Sequence, residues 1–272
     1  MRSEGWAQVQ SGAWAEPGQG LDLVVRLRAA QLLNPQLVVS HCSAAQLWQI
    51  ETLNSERPDH HLEFTDPGLT VRQVLTGVRV HRISLAEAHV VEQRGLRVTD
   101  VPRTLADLLR AGPRDDALVA VESALSYRRV GPSRRAPLIA PAGIAVALEA
   151  PLLGAARARQ WLRLVDPRAG SPAETIARLR MLDAGLRPET QAEVRTRDGR
   201  RRYLDFLFRD VGLAVEIEGY AFHGTREAHR RDVARFNQLL QCPEVRHLLR
   251  STAEDVFHRP ASMITQIRTL LP

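Results

Sequence analysis

The sequence contains no lysine: all 37 basic residues are arginine. A GC-rich genome produces that bias, so its first explanation is mutational. Cysteine is nearly absent as well. Cys42 and Cys242 stand far apart, which excludes a disulfide framework and a zinc cluster and fits a reducing cytoplasm. No run of about 18 apolar residues occurs, so no membrane span is expected. The opening stretch MRSEGWAQVQSGAWAEPGQG lacks the charged-then-apolar pattern of an export signal, and a cytoplasmic location is expected. There is no internal repeat.

What is present is material for a core. At 272 residues, 44% hydrophobic and 25% charged, the chain suits one large soluble domain or two of ordinary size. Its charge is uneven. Residues 151–272 carry 21 Arg against 15 Asp and Glu, while residues 1–150 carry 16 against 16, so the whole excess of +6 lies in the second part. Nucleic acid is the usual partner of a basic domain, and solubility alone is the alternative.

Hydrophobic periodicity divides the chain into an arm (1–20), an α+β region (21–165) and a final domain (166–272). Helical spacing appears in LDLVVRLRAAQLL (21–33). QLVVSHCSAAQLWQI reads as a short strand, then a helix from near Ser43. HLEFTD and GVRVHRIS alternate as strands do. TDVPRTLADLLRAG is a helix with Pro102 in its first turn and Gly112 at its end. In the last domain, Ser171 and Pro172 open a helix that ends at Gly185, and a hairpin turns at Asp198-Gly199. A third strand, an arginine-rich helix over 225–242, a fourth strand and a closing helix over 253–271 complete an αβββαβα order.

The last domain carries acids inside its strands. Asp205 lies in RRYLDFLF, and Glu216 and Glu218 lie in LAVEIEG. Strand alternation puts Glu216 and Glu218 on one face, and an antiparallel neighbour brings Asp205 toward them. Like charges that close repel by several kcal/mol where solvent is limited. Raised pKa values, arginine partners or a bound cation would offset this. Carboxylate oxygens suit Mg2+ and Mn2+, which polarise phosphodiesters and activate water. The other reading is a solvated sheet face with each glutamate paired to an arginine.

The ordered motifs Ser171-Pro172-Ala173-Glu174, Leu204-Asp205-Phe206, Glu216-Ile217-Glu218-Gly219, His223 and Asp232-Val233-Ala234-Arg235 resemble the PD-(D/E)xK nuclease superfamily. They are most similar to the bacterial family akin to the very-short-patch repair endonuclease. The resemblance spans roughly 165–272 and implies an α/β (α+β) fold, a restriction-endonuclease-like domain with a mixed sheet, preceded by a smaller α+β domain. It implies a Mg2+- or Mn2+-dependent DNA endonuclease with Asp205, Glu216 and Glu218 at the metal, and Glu174 and His223 assisting. Glu218 occupies the superfamily's lysine position, and no lysine elsewhere in the chain can replace it.

Each residue also has a plainer role. Ser171 and Glu174 have capping-box spacing. His223 would otherwise be a surface residue. Asp232 and Arg235 have the spacing of a helix-surface ion pair, although Arg235 could instead hold the acidic strand or grip phosphate. Arg201, Arg202, Arg230 and Arg231 are candidate phosphate contacts or solvated charge.

The first part offers no catalytic constellation. His41 and Cys42 are adjacent in a strand reading and point apart, so core packing is expected. The V-H-R strand and Thr99, Pro102, Arg103, Thr104, Leu105, Ala106 and Asp107 resemble part of the AbiEi-type antitoxin family. That resemblance implies a DNA-binding regulator with a toxin partner. A winged-helix reader would have to lie before residue 55, where the sequence is short and neutral. The function classes are therefore a metal-dependent endonuclease, a catalytically silent DNA-binding regulator and a structural adaptor with no nucleic-acid partner.

Overall fold

The structure, a computed structural model, describes residues 5–53, 61–68, 76–130, 133–219 and 226–271. The chain forms two compact units: Met1–Leu125 with Arg129–Arg163, and Ser126–Arg128 with Leu164–Pro272. The first is the larger in residues, contrary to the expectation of a smaller leading domain.

Over residues read from sequence as a loose arm, β1 (Ala7–Gln10) and β2 (Ala13–Ala15) pair as an antiparallel hairpin. Helix α1 (Leu23–Leu33) is capped by Asp22, which accepts the Val25 N–H at 2.9 Å. Then follow β3 (Val38–Val39), α2 (His41–Leu47), β4 (Leu62–Thr65), β5 (Val78–His81), β6 (Val90–Gln93) and β7 (Leu96–Thr99). The five strands form one sheet in the order β5-β4-β3-β7-β6. Leu27 of α1, Leu47 of α2 and the sheet residues Val39, Phe64 and Val98 form its fully buried core.

Helix α2 starts two residues earlier than the sequence indicates. Ser40 is the extended N-cap, and His41 turns the chain with a φ of +50°. His41 and Cys42 are therefore helical and not strand residues. Helix α3 (Val101–Ala111) has Asp100 as its cap, Pro102 in the first turn and Gly112 at its end, where φ is +74°. The remaining elements are α4 (Arg114–Leu125), the β8 (Arg128–Val130) and β9 (Ser133–Arg135) pair, α5 (Pro141–Ala147) and α6 (Ala155–Leu162).

The second unit runs α7 (Pro172–Asp183), β10 (Glu189–Arg195), β11 (Arg201–Phe208), β12 (Leu213–Glu218), α8 (Arg226–Leu239), β13 (His247–Thr252), α9 (Ala253–His258) and α10 (Pro260–Thr269). Its sheet order is β10-β11-β12-β13. The first two pairings are antiparallel and the last is parallel, so the sheet is mixed. The closing helix is split, since Pro260 lacks the N–H needed to continue α9. Gly199, with φ of +79°, makes the β10–β11 turn. Leu239 of α8 and Cys242 pack on Ala192, Val194, Leu204 and Ala214.

Candidate functional site

The acids of the second unit stand where β11 and β12 part. Their ladder runs through Phe208↔Leu213, Leu207↔Ala214 and Phe206↔Val215, and stops there. Continued one step, it would oppose Asp205 to Glu216. Instead the carboxylates take over as acceptors. Glu216 Oε1 accepts the Asp205 N–H at 3.1 Å, and Asp205 Oδ2 accepts the Ile217 N–H at 2.8 Å. Orphaned backbone donors are costly, and charged acceptors satisfy them well. This is one reason acids are tolerated in these strands.

Across β10, Gln191 adopts a φ of +50° in the middle of a strand. Register is unchanged on either side, with Thr190↔Phe206 and Ala192↔Leu204. A left-handed non-glycine residue costs about 1–2 kcal/mol and, in strands, marks a place where the chain is bent to a purpose. Here the Gln191 amide donates to Asp205 Oδ1 at 3.2 Å and to Glu174 Oε2 at 2.9 Å. A single nitrogen thus ties α7 to β11.

Glu174 is buried in the first turn of α7. Ser171 Oγ accepts its N–H at 3.2 Å, which is half of the capping box. The other half is redirected. The Glu174 carboxylate accepts from Gly170 N–H at 2.6 Å and from Gln191, toward the sheet. A Cβ on Gly170 would sit 3.0 Å from Glu174 Oε1, so the loop admits glycine for close approach.

Charge balance within the cluster is uneven. Glu216, 3% exposed, pairs with Arg235 of α8 at 2.7 Å. Among the described residues, Asp205 has no guanidinium hydrogen-bonded to it. Burial, then the charges of Glu216 and Glu174, push its carboxyl up to about 7. Burial also raises Glu216, against the pull of Arg235. The two acids titrate as a pair, and the shared proton belongs on Asp205, which lacks the cation.

The other sequence candidates fall in several places. Glu218 pairs with Arg250 of β13, whose guanidinium lies 3.6 Å from the Phe236 ring centroid and whose charge also acts on Glu216. Arg235 holds the acidic strand, one of the roles open to it. Arg201 lies 3.4 Å from Glu193, and Arg202 donates to Gln238 at 2.6 Å and 3.1 Å. Arg230 is exposed on α8. His223 and the side chains of Arg231 and Asp232 lie outside the described residues.

Sequence reasoning missed Gln191, Gly170 and Arg250. Counting back from the Asp198-Gly199 turn puts Gln191 across from Asp205, a signal that was present. Among the described residues no group of three or more His, Cys, Asp and Glu side chains is arranged to hold a metal ion. Asp205 and Glu216 form a two-carboxylate pair with Glu174 behind one amide. An all-oxygen pair of this kind fits Mg2+, which keeps several waters and takes one or two carboxylates.

The chain is similar to proteins described as uncharacterized from two strains of Mycobacterium tuberculosis. Each is 29% identical over 241 residues, spanning 88% of this chain and 83% of the relative. No family model and no solved structure matches the chain.

Proposed function

We propose that the second unit is a Mg2+- or Mn2+-dependent endonuclease-like domain acting on phosphodiester bonds of DNA. The observation that carries this reading is Asp205: a half-buried carboxyl raised to about 7 beside two further acids, with no guanidinium bonded to it among the described residues. Structural acids are normally balanced; this one is left with excess negative charge. Asp205 and Glu216 would hold the ion, and Glu174 would orient the pair through Gln191. Bound there, a divalent ion supplies Lewis-acid polarisation of a phosphoryl oxygen and a more acidic water. Arg235, half-exposed at the rim, is placed to trade Glu216 for a DNA phosphate. The expected result is nicking of plasmid or mismatched DNA with Mn2+, absent in Asp205→Asn and Glu216→Gln. Full cutting by both variants would remove this site from consideration.

A second reading rests on a separate observation: Glu216 and Glu218 each have an arginine partner. In that case the domain binds DNA without cutting it, as a regulator or antitoxin that answers to a toxin. Salt-sensitive DNA binding that persists in EDTA, with no cleavage of any DNA form, would select it.

A further inference from the structure

We propose that the first unit contains a second ligand site, independent of the carboxylate cluster: a cavity that takes a small organic anion. Its charged head would rest at the start of α6 and its apolar body against Ile83, Leu152 and Leu153. The cavity measures about 980 Å3 and lies wholly within this unit. That is the size of pockets that enclose small organic molecules, which are apolar-walled with a few converging polar groups.

The polar groups here are donors and cations. Asp107 is the one acid among the described lining residues, and it is already consumed. Arg103 Nε bonds its carboxylate at 2.9 Å and 3.0 Å, and Arg110 bonds it at 2.7 Å. Two guanidiniums for one carboxylate leave a net positive charge. Arg157 adds another, with its NH2 on the Arg110 carbonyl at 2.7 Å and its guanidinium 4.9 Å from the Trp161 ring centroid. The first turn of α6 has no side-chain cap, because its N-cap is Gly154. Glycine is obligatory there: φ is +82°, and a Cβ would stand 2.6 Å from the Arg110 carbonyl oxygen. An uncapped helix start with an arginine in its first turn attracts anions.

A second and separate feature points into the same cavity. His41 is 4% exposed, has a left-handed backbone and lines the space. Its Nδ1 meets Ser40 Oγ at 2.9 Å, and among the described residues Nε2 has no hydrogen-bond partner. Its ring stacks on His81 at 3.5 Å between centroids, and His81 is tied to Glu63 at 3.2 Å. Burial, then the charge of His81, lowers His41 to about 3; the Glu63 carboxylate opposes this, and Arg110 and Arg103 add to it in smaller measure. The site therefore has a positive potential and a neutral imidazole edge that can donate to an anion. A metal ion does not fit. Rings 16° from parallel carry their in-plane lone pairs side by side, and no single ion lies on both.

The probes are benzoate, phenyl phosphate and uncharged benzyl alcohol, titrated into the full chain and followed by histidine NMR and tryptophan fluorescence. One or both anions should bind saturably and shift the His41 and His81 ring signals, and the stronger of the two identifies the head group. Benzyl alcohol should bind at least tenfold more weakly. Arg157→Glu should weaken the anion at least tenfold, with Tm changed by no more than about 3 °C. The proposal is overturned if neither anion binds saturably, if binding leaves both histidine signals in place, or if benzyl alcohol binds as well as the anions. The wild-type NMR arm decides even if the variant folds poorly.

Discussion

Both units bury acids, and they balance them differently. In the first, Asp107 lies between Arg103 and Arg110. Glu63 has His81 and Arg79 beside it and accepts the Cys42 N–H at 2.9 Å. Burial opposes its charge, but the hydrogen bonds from His81 and the Cys42 N–H hold the carboxyl at about 2. In the second unit, Arg235 is the one guanidinium bonded to Glu174, Asp205 or Glu216 among the described residues, and Asp205 rises to about 7. Balanced acids are explained by the fold that contains them. Unbalanced ones call for something further, either a proton or a cation.

Removing one partner from a balanced group should have the largest effect. Asp107→Ala strands two guanidiniums, one of them buried, and is expected to cost about 3–5 kcal/mol in urea unfolding of the first unit. Arg235→Ala leaves Glu216 without its partner and should cost about 2 kcal/mol in EDTA. Here the comparison sharpens: millimolar Mn2+ should restore most of that loss, because the cation takes over the role of the arginine. No restoration would place Arg235 and Glu216 with the structural pairs of the first unit.

The pH dependence of stability carries the same contrast. Folded Asp205 holds its proton to about 7, whereas an unfolded aspartate loses it near 4. Folding takes up a proton between those values, so this group's stabilisation is full below about pH 4 and is lost as pH rises to about 7. Asp205→Asn should flatten that slope and make the protein more stable than wild type at pH 8, as read from the urea midpoint. Glu63 has the opposite sign, losing its contribution only as pH falls toward 2. The smallest expected effect is that of Gly170→Ala, about 1 kcal/mol, from crowding of Glu174 Oε1.

The element order of the second unit was legible because its signals are local. Ser171-Pro172 starts a helix, Asp198-Gly199 turns a hairpin, and alternation marks the strands. Glu174, Asp205 and Glu216 were legible for the same reason, since an acid in an apolar run is conspicuous. Gln191 was not: a polar residue in a half-exposed strand is ordinary, and its left-handed backbone leaves no trace in composition. Neither was the pairing of Glu218 with Arg250, which depends on the parallel register of β12 with β13, set across the intervening helix. In the first unit, His41 and Cys42 were read as strand because one left-handed residue moved the helix start. The cavity beside His41 is assembled from α2, β5, α3 and the start of α6, segments spread along the sequence from His41 to Arg157, beyond the reach of periodicity.

Calorimetric titration of Mn2+ into the full chain at pH 8, repeated with Asp205→Asn, bears most directly on the carboxylate cluster as a cation site. The expected result is saturable binding that is lost in the variant and weakens at pH 6, where Asp205 retains its proton. Absence of saturable binding, or binding that Asp205→Asn leaves unchanged, would contradict it.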